Sequence, residues 1–401
     1  MVIITVAITN GVPEVKWKIL SDSMFRISMI PSVMHWLTSL VWSECAPPAI
    51  VDQLAATLGT TSAGRSAATV RAARGADCTL DDGLTEIFGA RYRDQVRHPV
   101  SISSSAPSGV IPTILARRRY VAADLRDISY GPHGRDNLLD IWRDRDTGCS
   151  EPAPVLIQIH GGAWTSGDKR SQAHPLLERM VRHGWICVSM NYRMSPRHRW
   201  PAHIEDVHRA IDWVRDHIAE YGGDPTFIAL TGGSAGAHLA SLAALAPHEP
   251  EHWTDSATPK PVQAVVPLYG VYDVSGGVPM HPMMLPYLER FVMGTTRAEA
   301  PELFACASPL QFARADAPPF LIVHGGGDTF IPPAQARGLR NALRNVGAPT
   351  VAYVEIPDAQ HAFDAFATIR TTLTTAAIAD FLGIVYARHC RSREGAAPLT
   401  G

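Results

Sequence analysis

From Asp124 onward, strand-like segments alternate with helix-like segments, and this rhythm limits the folds open to the chain more than any other feature. The strand candidates are the apolar or β-prone segments 124–130, 137–143, 153–160, 185–192, 225–231, 262–269, 318–324 and 350–356. Helical patterns separate the later ones at Ala202–Tyr221 and Pro332–Val346, and a terminal helix is expected from about Thr371 to Arg388. Such alternation predicts an α/β fold with a mostly parallel central sheet and helices on both faces.

A G-x-S-x-G motif at 232–236 lies at one strand-to-helix junction. The short apolar run 225–230 precedes it, and the alanine-rich run 237–245 that follows is a strong helix former. A serine on so sharp a turn projects its hydroxyl out of the sheet at a helix N-terminus, where negative charge is favoured. The flanking glycines leave room for the turn. Ser234 is therefore the candidate nucleophile.

A second glycine-rich turn follows an earlier strand candidate. Residues 154–159 read as a buried strand and run into the H-G-G-A-W segment at 160–164. Two successive glycines let backbone N–H groups turn toward a developing negative charge, and the N–H of Ala235 would complete such a cradle. The sequence therefore predicts an oxyanion hole formed by Gly161, Gly162 and Ala235.

Two further strand ends carry the groups that a serine nucleophile needs. Asp328 follows the strand candidate 318–324, and His361 follows the candidate 350–356. Open parallel sheets gather their ligand sites at the carboxyl ends of strands, so these side chains are expected to meet Ser234. His361 would accept the serine proton, and Asp328 would fix the imidazole tautomer and stabilise the imidazolium.

Some neighbouring residues suggest other assignments. Asp358 and Asp364 flank His361 within its own loop and cannot easily reach behind the ring, so Asp328 is preferred as the acid. The H-G-G-G run at 324–327 imitates an oxyanion loop, but its place after the nucleophile and directly before Asp328 marks it as the acid-bearing loop. No G-x-G-x-x-G or Walker lysine pattern follows a first strand, so no nucleotide site is expected.

Together these motifs resemble the α/β-hydrolase esterases related to hormone-sensitive lipase, especially the bacterial carboxylesterases. The resemblance runs from about residue 120 to about residue 390 and includes five further stretches: 191–196 (NYRMSP), 200–202 (WPA), 205–207 (EDV), 222–225 (GGDP) and 268–273 (LYGVYD). Two positions depart from the family, since Ala163 stands where a third glycine is common and Gly233 where an acidic residue is common. The resemblance implies ester hydrolysis by Ser234, Asp328 and His361, with helices before the core that help to cover the site.

The first 115 residues lack the alternating rhythm and are interpreted as a partly helical N-terminal region. Residues 101–108 are serine-rich and linker-like. Met24–Val41 is apolar but interrupted by arginine, proline and histidine, so it is too broken for a transmembrane helix. We interpret it as a lid or membrane-surface contact, or as a helix packed on the core. A catalytic domain is expected over 116–392 and a flexible tail over 393–401.

Two features are expected to shape the surroundings of the site. A cap-like insertion at about 274–300 breaks the α/β rhythm with prolines and methionines. Methionine adapts to varied apolar shapes, so the insertion is interpreted as lining an acyl pocket, with a surface excursion as the alternative. Arg193 and Asp206 are expected to form a structural ion pair beneath the site.

Composition narrows the classes of partner. The chain has 36 basic and 38 acidic residues and a formal net charge of −2, which argues against a nucleic-acid partner. Its six cysteines lack C-x-x-C or zinc spacing, so neither a metal site nor a disulfide framework is expected, and no cofactor motif is present. Met1–Ile8 lacks the basic region and cleavage site of a signal peptide. The expected location is cytoplasmic or peripheral at the envelope, and the oligomeric state is left open.

The favoured function is a serine carboxylic-ester hydrolase, either a carboxylesterase or a lipase, acting on small-molecule or lipid esters of short to medium acyl length. An arylformamidase-like amidase is the alternative among hydrolases, because H-G-G-x-W and S-A-G occur there too. A catalytically idle hydrolase-fold binding module is the alternative from another class. Such modules usually lose the nucleophile or the base, whereas this chain has both Ser234 and His361.

Overall fold

The computed structural model describes residues 2–9, 12–19, 63–96, 123–144, 151–246, 261–365 and 368–396. Near the N-terminus, β1 (Val2–Thr9) pairs antiparallel with β2 (Val12–Ile19). Met24–Val41 and the serine-rich stretch 101–108 lie outside the described residues, so the interpretations attached to them stay predictions.

The other described strands form one eight-stranded sheet. They are β3 (Leu125–Ser129), β4 (Leu138–Trp142), β5 (Ala153–Ile159), β6 (Ile186–Met190), β7 (Gly223–Gly233), β8 (Ala264–Leu268), β9 (Phe320–Gly325) and β10 (Val351–Ile356). Their order is β10-β9-β8-β7-β5-β6-β4-β3, parallel from β10 to β6, with β4 and β3 joined antiparallel at one edge. The predicted α/β class is confirmed, and each strand predicted from 124 onward is present.

Helices cover both faces of this sheet. They are α1 (Ala63–Phe88), α2 (His174–Arg182), α3 (Ala202–His217), α4 (Ala235–Leu245), α5 (Met284–Tyr287), α6 (Pro301–Cys306), α7 (Ala334–Asn345) and α8 (Ile369–Ala396). Side chains alternate along β5, so Val155 and Ile157 belong to the apolar layer that includes residues of α3, α4 and α7, whereas Leu156 belongs to the layer that includes residues of α1, α2 and α8. The two apolar layers give a sandwich of helices around a central sheet.

Helix α1 is the largest described element that the sequence analysis did not predict. Leu80 and Leu84 are buried, and the helix packs against β10 and α8. The approach is close, because a Cβ at Gly83 would lie 2.6 Å from Cγ2 of Val354. Residues 75–88 of the region interpreted as an N-terminal segment therefore cover the sheet.

The C-terminal boundary also needs a correction. Helix α8 continues to Ala396, past the expected domain end at residue 392, so the first residues of the tail predicted at 393–401 are helical. Arg393 near this end lies 3.6 Å from Asp224 at the start of β7, which places the extra turn of helix beside the sheet.

The strand order reverses between β5 and β7, which are neighbours in the sheet. After β5 the chain crosses to β6 on one side, and after β7 it crosses to β8 on the other. Loops that leave neighbouring parallel strands in opposite directions open a crevice at the carboxyl ends of those strands. The turns after β5, β7, β9 and β10 thus approach one another at this end of the sheet.

Candidate active site

Ser234 lies at the turn between β7 and α4. Its φ of +56° and ψ of −118° are values that residues other than glycine rarely adopt and that occur at strained functional turns. The neighbouring glycines are required by packing, because a Cβ at Gly236 would lie 2.0 Å from the Ile159 carbonyl oxygen and one at Gly232 would lie 2.6 Å from it. The end of β5 therefore packs so closely against the turn carrying Ser234 that only glycine fits at positions 232 and 236.

His361 joins Ser234 to Asp328 through two hydrogen bonds. Its Nε2 lies 3.0 Å from Ser234 Oγ, and its Nδ1 lies 2.8 Å from Asp328 Oδ2. A carboxylate can only accept, so Nδ1 carries the proton and Nε2 is left to accept from the serine hydroxyl. The rings of Tyr269 and Phe330 pack on the imidazole, with centroids 4.9 and 5.3 Å from its own. The structure thus brings together the three side chains selected from the sequence.

Asp328 is buried and ionised. Its Oδ1 accepts the N–H groups of Phe330 at 2.9 Å and Ile331 at 2.7 Å. Burial alone raises the pKa of Asp328, but the attraction of His361 and the hydrogen bond from His324 outweigh burial and hold that pKa well below its usual range. The group behind His361 is therefore a fixed carboxylate that can stabilise positive charge on the imidazole.

His324 is a neighbour of the acid that sequence reasoning missed. It is fully buried in β9, and its Nε2 donates to the Ile331 carbonyl at 2.9 Å and lies 3.3 Å from Asp328 Oδ2. The H-G-G-G run was interpreted only as an imitation of an oxyanion loop. The signal available in the sequence was the spacing, because a histidine four residues before the acid lies across the same turn.

The other carboxylates near His361 have different surroundings. Asp364 accepts a hydrogen bond from the Tyr269 hydroxyl, and desolvation raises the pKa of Asp364. Asp358 is exposed at the surface. Among the three acids considered from the sequence, Asp328 is the one whose hydrogen bond to Nδ1 is observed.

Tyr269 also accounts for the glycine at position 233. A Cβ at Gly233 would lie 2.6 Å from the Tyr269 hydroxyl oxygen and 2.9 Å from two carbons of its ring. An acidic side chain, which the family often has here, would collide with this tyrosine. The Tyr269–Asp364 pair fills the space that such a side chain would need.

Gly161 lies beside the nucleophile, but its predicted role needs a correction. Its N–H donates to Oε1 of Gln172 at 2.8 Å, so this donor is already engaged and is not available to an oxyanion. A Cβ at Gly161 would lie 2.6 Å from the Gly233 carbonyl oxygen and 3.3 Å from Ser234 Cβ. Glycine is required here by the close approach of the loop and not by a donor role.

The next residues of this loop present N–H groups without partners. In the described part of the chain, the N–H groups of Gly162, Ala163 and Ala235 have no hydrogen-bond acceptor. Gly162 has a φ of +118°, and Ala163 a φ of +53°. The alanine that replaces the family's third glycine thus adopts a backbone conformation that glycine would adopt at lower cost. Gly162 and Ala235 remain candidate oxyanion donors, and Ala163 joins them.

A neutral histidine fixes the first peptide of this loop. His160 is fully buried, and its Nδ1 donates to the Gly161 carbonyl oxygen at 2.8 Å. Burial lowers the pKa of His160 to about 4, so the ring is uncharged near neutral pH. The Gly161 carbonyl shares its peptide plane with the Gly162 N–H, so this bond also orients that donor.

The ion pair expected beneath the site is confirmed. Arg193 Nε and Nη2 each lie 2.9 Å from an oxygen of Asp206, and the Arg193 N–H donates to the same carboxylate at 2.9 Å. Asp206 is fully buried in α3. This bidentate contact ties the segment after β6 to α3, which is a structural role.

The described residues contain neither a metal-binding cluster nor a helix that could span a membrane. Within those ranges, no group of three or more His, Cys, Asp or Glu side chains converges as a metal site would require. No helix there combines the length and apolar character needed to cross a bilayer.

Known proteins are similar to this chain in sequence and in architecture. Residues 139–343 match the family model BD-FAE. Esterase LipQ of Mycobacterium tuberculosis is 47% identical over 376 residues, covering 92% of this chain and 89% of the relative. The probable carboxylic ester hydrolase LipM of the same organism is 48% identical over 335 residues, covering 82% and 77%.

Solved structures agree with this grouping. A truncated carbohydrate esterase from gut microbiota aligns with a TM-score of 0.53 at 25% identity, covering 65% of this chain and 97% of that one. Esterase 2 of Thermogutta terrifontis, phosphonylated by sarin, aligns with a TM-score of 0.53 at 27% identity, covering 64% and 92%. The chain therefore belongs to the BD-FAE family, among the serine esterases of the α/β-hydrolase fold.

Proposed function

We propose that this protein hydrolyses carboxylic esters of short to medium acyl length through an acyl-enzyme on Ser234. His361 is the general base, and Asp328 is the acid that orients it. The observation that carries the proposal is the continuous hydrogen-bonded line from Ser234 Oγ through the imidazole to Asp328, with separations of 3.0 and 2.8 Å.

Each group has a defined part in the reaction. Ser234 Oγ attacks the ester carbonyl carbon while its proton passes to His361 Nε2, and the imidazolium is stabilised by Asp328 at Nδ1. The imidazolium then gives the proton to the departing alkoxide, which leaves an acyl group on Ser234. Water enters, loses a proton to His361 and releases the acid, and the proton returns to the serine.

The negative charge on the carbonyl oxygen needs donors that are already in place. We assign this role to the N–H groups of Gly162, Ala163 and Ala235. Ala235 is the first residue of α4, so its N–H also carries the positive end of the helix dipole. In other serine hydrolases, removal of one preorganised donor of this kind lowers kcat by about 10²–10³-fold.

The substrate class rests on the insertion between β8 and β9. Met284 and Met293 are only 5% and 6% exposed and belong to the core that includes α3 and α4. The insertion is therefore packed on the core, and its Tyr287 reaches the loop of the proposed oxyanion donors at Ala163. We infer that a packed cover beside the nucleophile favours acyl chains of limited length over bulky ones. Small-molecule esters are the expected substrates, and lipid esters are included where their acyl chains fit.

The test combines labelling with turnover. A fluorophosphonate should form its adduct on Ser234, since a similar esterase has been solved phosphonylated by sarin. Ser234→Ala should lose about a million-fold in kcat, whereas Ser392→Ala, which changes a hydroxyl on α8 bonded to the His389 carbonyl, should not change turnover. An adduct on another serine, or full activity of Ser234→Ala, would contradict the assignment.

A substrate profile tests the acyl length. p-Nitrophenyl esters from acetyl to palmitoyl should be cleaved best at the short to medium end, and N-formylkynurenine more slowly than any of them. A strong preference for N-formylkynurenine would identify an arylformamidase instead. Emulsified long-chain esters decide between esterase and lipase, because rapid turnover only at an interface would indicate a lid or membrane-surface contact such as that suggested for Met24–Val41.

A further inference from the structure

The loop that carries the proposed oxyanion donors has a costly backbone conformation. Gly162, Ala163 and Trp164 have consecutive φ values of +118°, +53° and +59°. Positive φ is uphill for residues with a Cβ, and such residues persist only where the surroundings hold them. Each carbonyl of this run therefore needs a partner that prevents its peptide from relaxing.

Two of the three carbonyls are held by neighbouring backbone. The Gly162 oxygen accepts the N–H groups of Thr165 and Ser166, both at 3.0 Å. The Trp164 oxygen accepts the N–H of Ser195 at 2.8 Å, and the Trp164 side chain is buried. These contacts fix the two ends of the strained run but leave its centre, Ala163, to another group.

The centre is held by a side chain from the insertion. The Tyr287 hydroxyl donates to the Ala163 carbonyl oxygen at 3.0 Å and lies 2.6 Å from Thr165 Oγ1. Among the described residues, Tyr287 is the only partner of that carbonyl. The Tyr287 and Thr165 hydroxyls thus lie within hydrogen-bond distance of each other, and Thr165 Oγ1 also lies 3.4 Å from the Gly162 carbonyl oxygen.

Tyr287 is itself firmly placed. It ends α5 where the chain enters a π-helical turn, Leu288–Met293, and both Met284 and Leu288 are buried in the core. Burial raises the pKa of Tyr287 to about 12, so the phenol keeps its proton near neutral pH and remains a donor.

We propose that Tyr287 is a positioning residue, whose hydroxyl holds the insertion against the strained loop and keeps the Ala163 N–H aimed at the ester oxygen. The inference rests on the proposed function. The two peptides that meet at Ala163 are held by Tyr287 on one side and by Thr165 and Ser166 on the other. Loss of the hydroxyl frees the Ala163 peptide, and the adjacent donor loses its alignment.

The test is Tyr287→Phe in the full chain, which removes one oxygen and keeps the ring. We expect kcat on p-nitrophenyl acetate to fall about tenfold, with KM changed less than about twofold. Tyr353→Phe is the matched control, because it deletes a hydroxyl that donates to Glu355 on β10 and should leave both constants unchanged.

A thiono ester separates alignment of the donors from general damage. The sulfur of a thiono ester accepts hydrogen bonds poorly, so an oxyanion hole stabilises the transition state of its hydrolysis only weakly. The ratio of oxo-ester to thiono-ester turnover should therefore fall in Tyr287→Phe. An equal fall in turnover of both esters, or a kcat within twofold of the wild type, would overturn the proposed positioning role of Tyr287. Turnover by the wild-type protein in the same assay tests the proposed function separately, so the two failures are distinguishable.

Discussion

Asp328→Asn isolates the role of the acid because the surroundings dictate which way the amide must point. Oδ1 accepts two backbone N–H groups, from Phe330 and Ile331, at 2.9 and 2.7 Å. The asparagine oxygen must take this position, since the reverse orientation would set the NH₂ against both donors at about 1–3 kcal/mol for each lost bond. The NH₂ group then occupies the Oδ2 position and faces His361 Nδ1.

This orientation of the amide reverses the tautomer of His361. An NH₂ donor at 2.8 Å from Nδ1 favours the tautomer with its proton on Nε2, so the ring donates to Ser234 where it should accept. The variant also lacks the negative charge that stabilises the imidazolium. We expect kcat to fall about 10⁴-fold, or about 5 kcal/mol of transition-state stabilisation, as when the same change is made in another serine hydrolase.

The assay is steady-state turnover of p-nitrophenyl acetate, with thermal unfolding to verify that each variant is folded. Asp358→Asn is the control, because Asp358 is exposed and belongs to the same loop as His361, and its kcat should stay within about twofold of the wild type. An Asp328→Asn variant with more than a tenth of wild-type activity would refute the tautomer argument. Equal damage from Asp358→Asn would move the acid role away from Asp328.

Gly233→Ala should destabilise the fold by about 1–3 kcal/mol, since its Cβ meets the Tyr269 side chain. Gly383→Ala in α8, where an added Cβ meets nothing within 4 Å, should instead stabilise by about 0.5–1 kcal/mol; urea unfolding measures both, and matching signs would contradict the packing argument. Stability should also fall between about pH 6.5 and pH 4, because desolvation lowers the folded-state pKa of the three buried histidines His160, His203 and His238, while the unfolded chain takes up protons near pH 6.5. The free energy of unfolding should fall by up to about 1.4 kcal/mol per pH unit for each histidine, and equal unfolding free energies at pH 7.5 and 5.5 would contradict this prediction.

The predicted strands are found because their signal is local. A buried parallel strand such as β6 needs a short apolar, β-prone run, and the turn that follows it can be recognised from its residue types. The chain order of Ser234, Asp328 and His361 could likewise be predicted, because parallel strands place their carboxyl ends at one edge whatever the details of the packing.

Helix α1 could not be predicted because its signal is not local. Gly75 and Gly83 and several polar residues dilute its apolar pattern, and its stability comes from burial of Leu80 and Leu84 against β10 and α8. Packing against a distant strand leaves little trace in the local sequence. His324 is a different case, because its spacing of four residues before Asp328 is visible in the sequence although the contact forms only once the turn after β9 has formed.

The sequence by itself determined the α/β architecture and the identity and order of the nucleophile, acid and base, since these depend on hydrophobic periodicity and on residues at strand ends. Tertiary structure decided which hydrogen bonds those groups make. Gln172 takes the Gly161 N–H, Tyr269 excludes an acid from position 233, and Tyr287 reaches Ala163 across more than a hundred residues of chain. Such contacts depend on how separate elements meet in space, where a displacement of one ångström makes or breaks a bond, and no local pattern of residues encodes that distance.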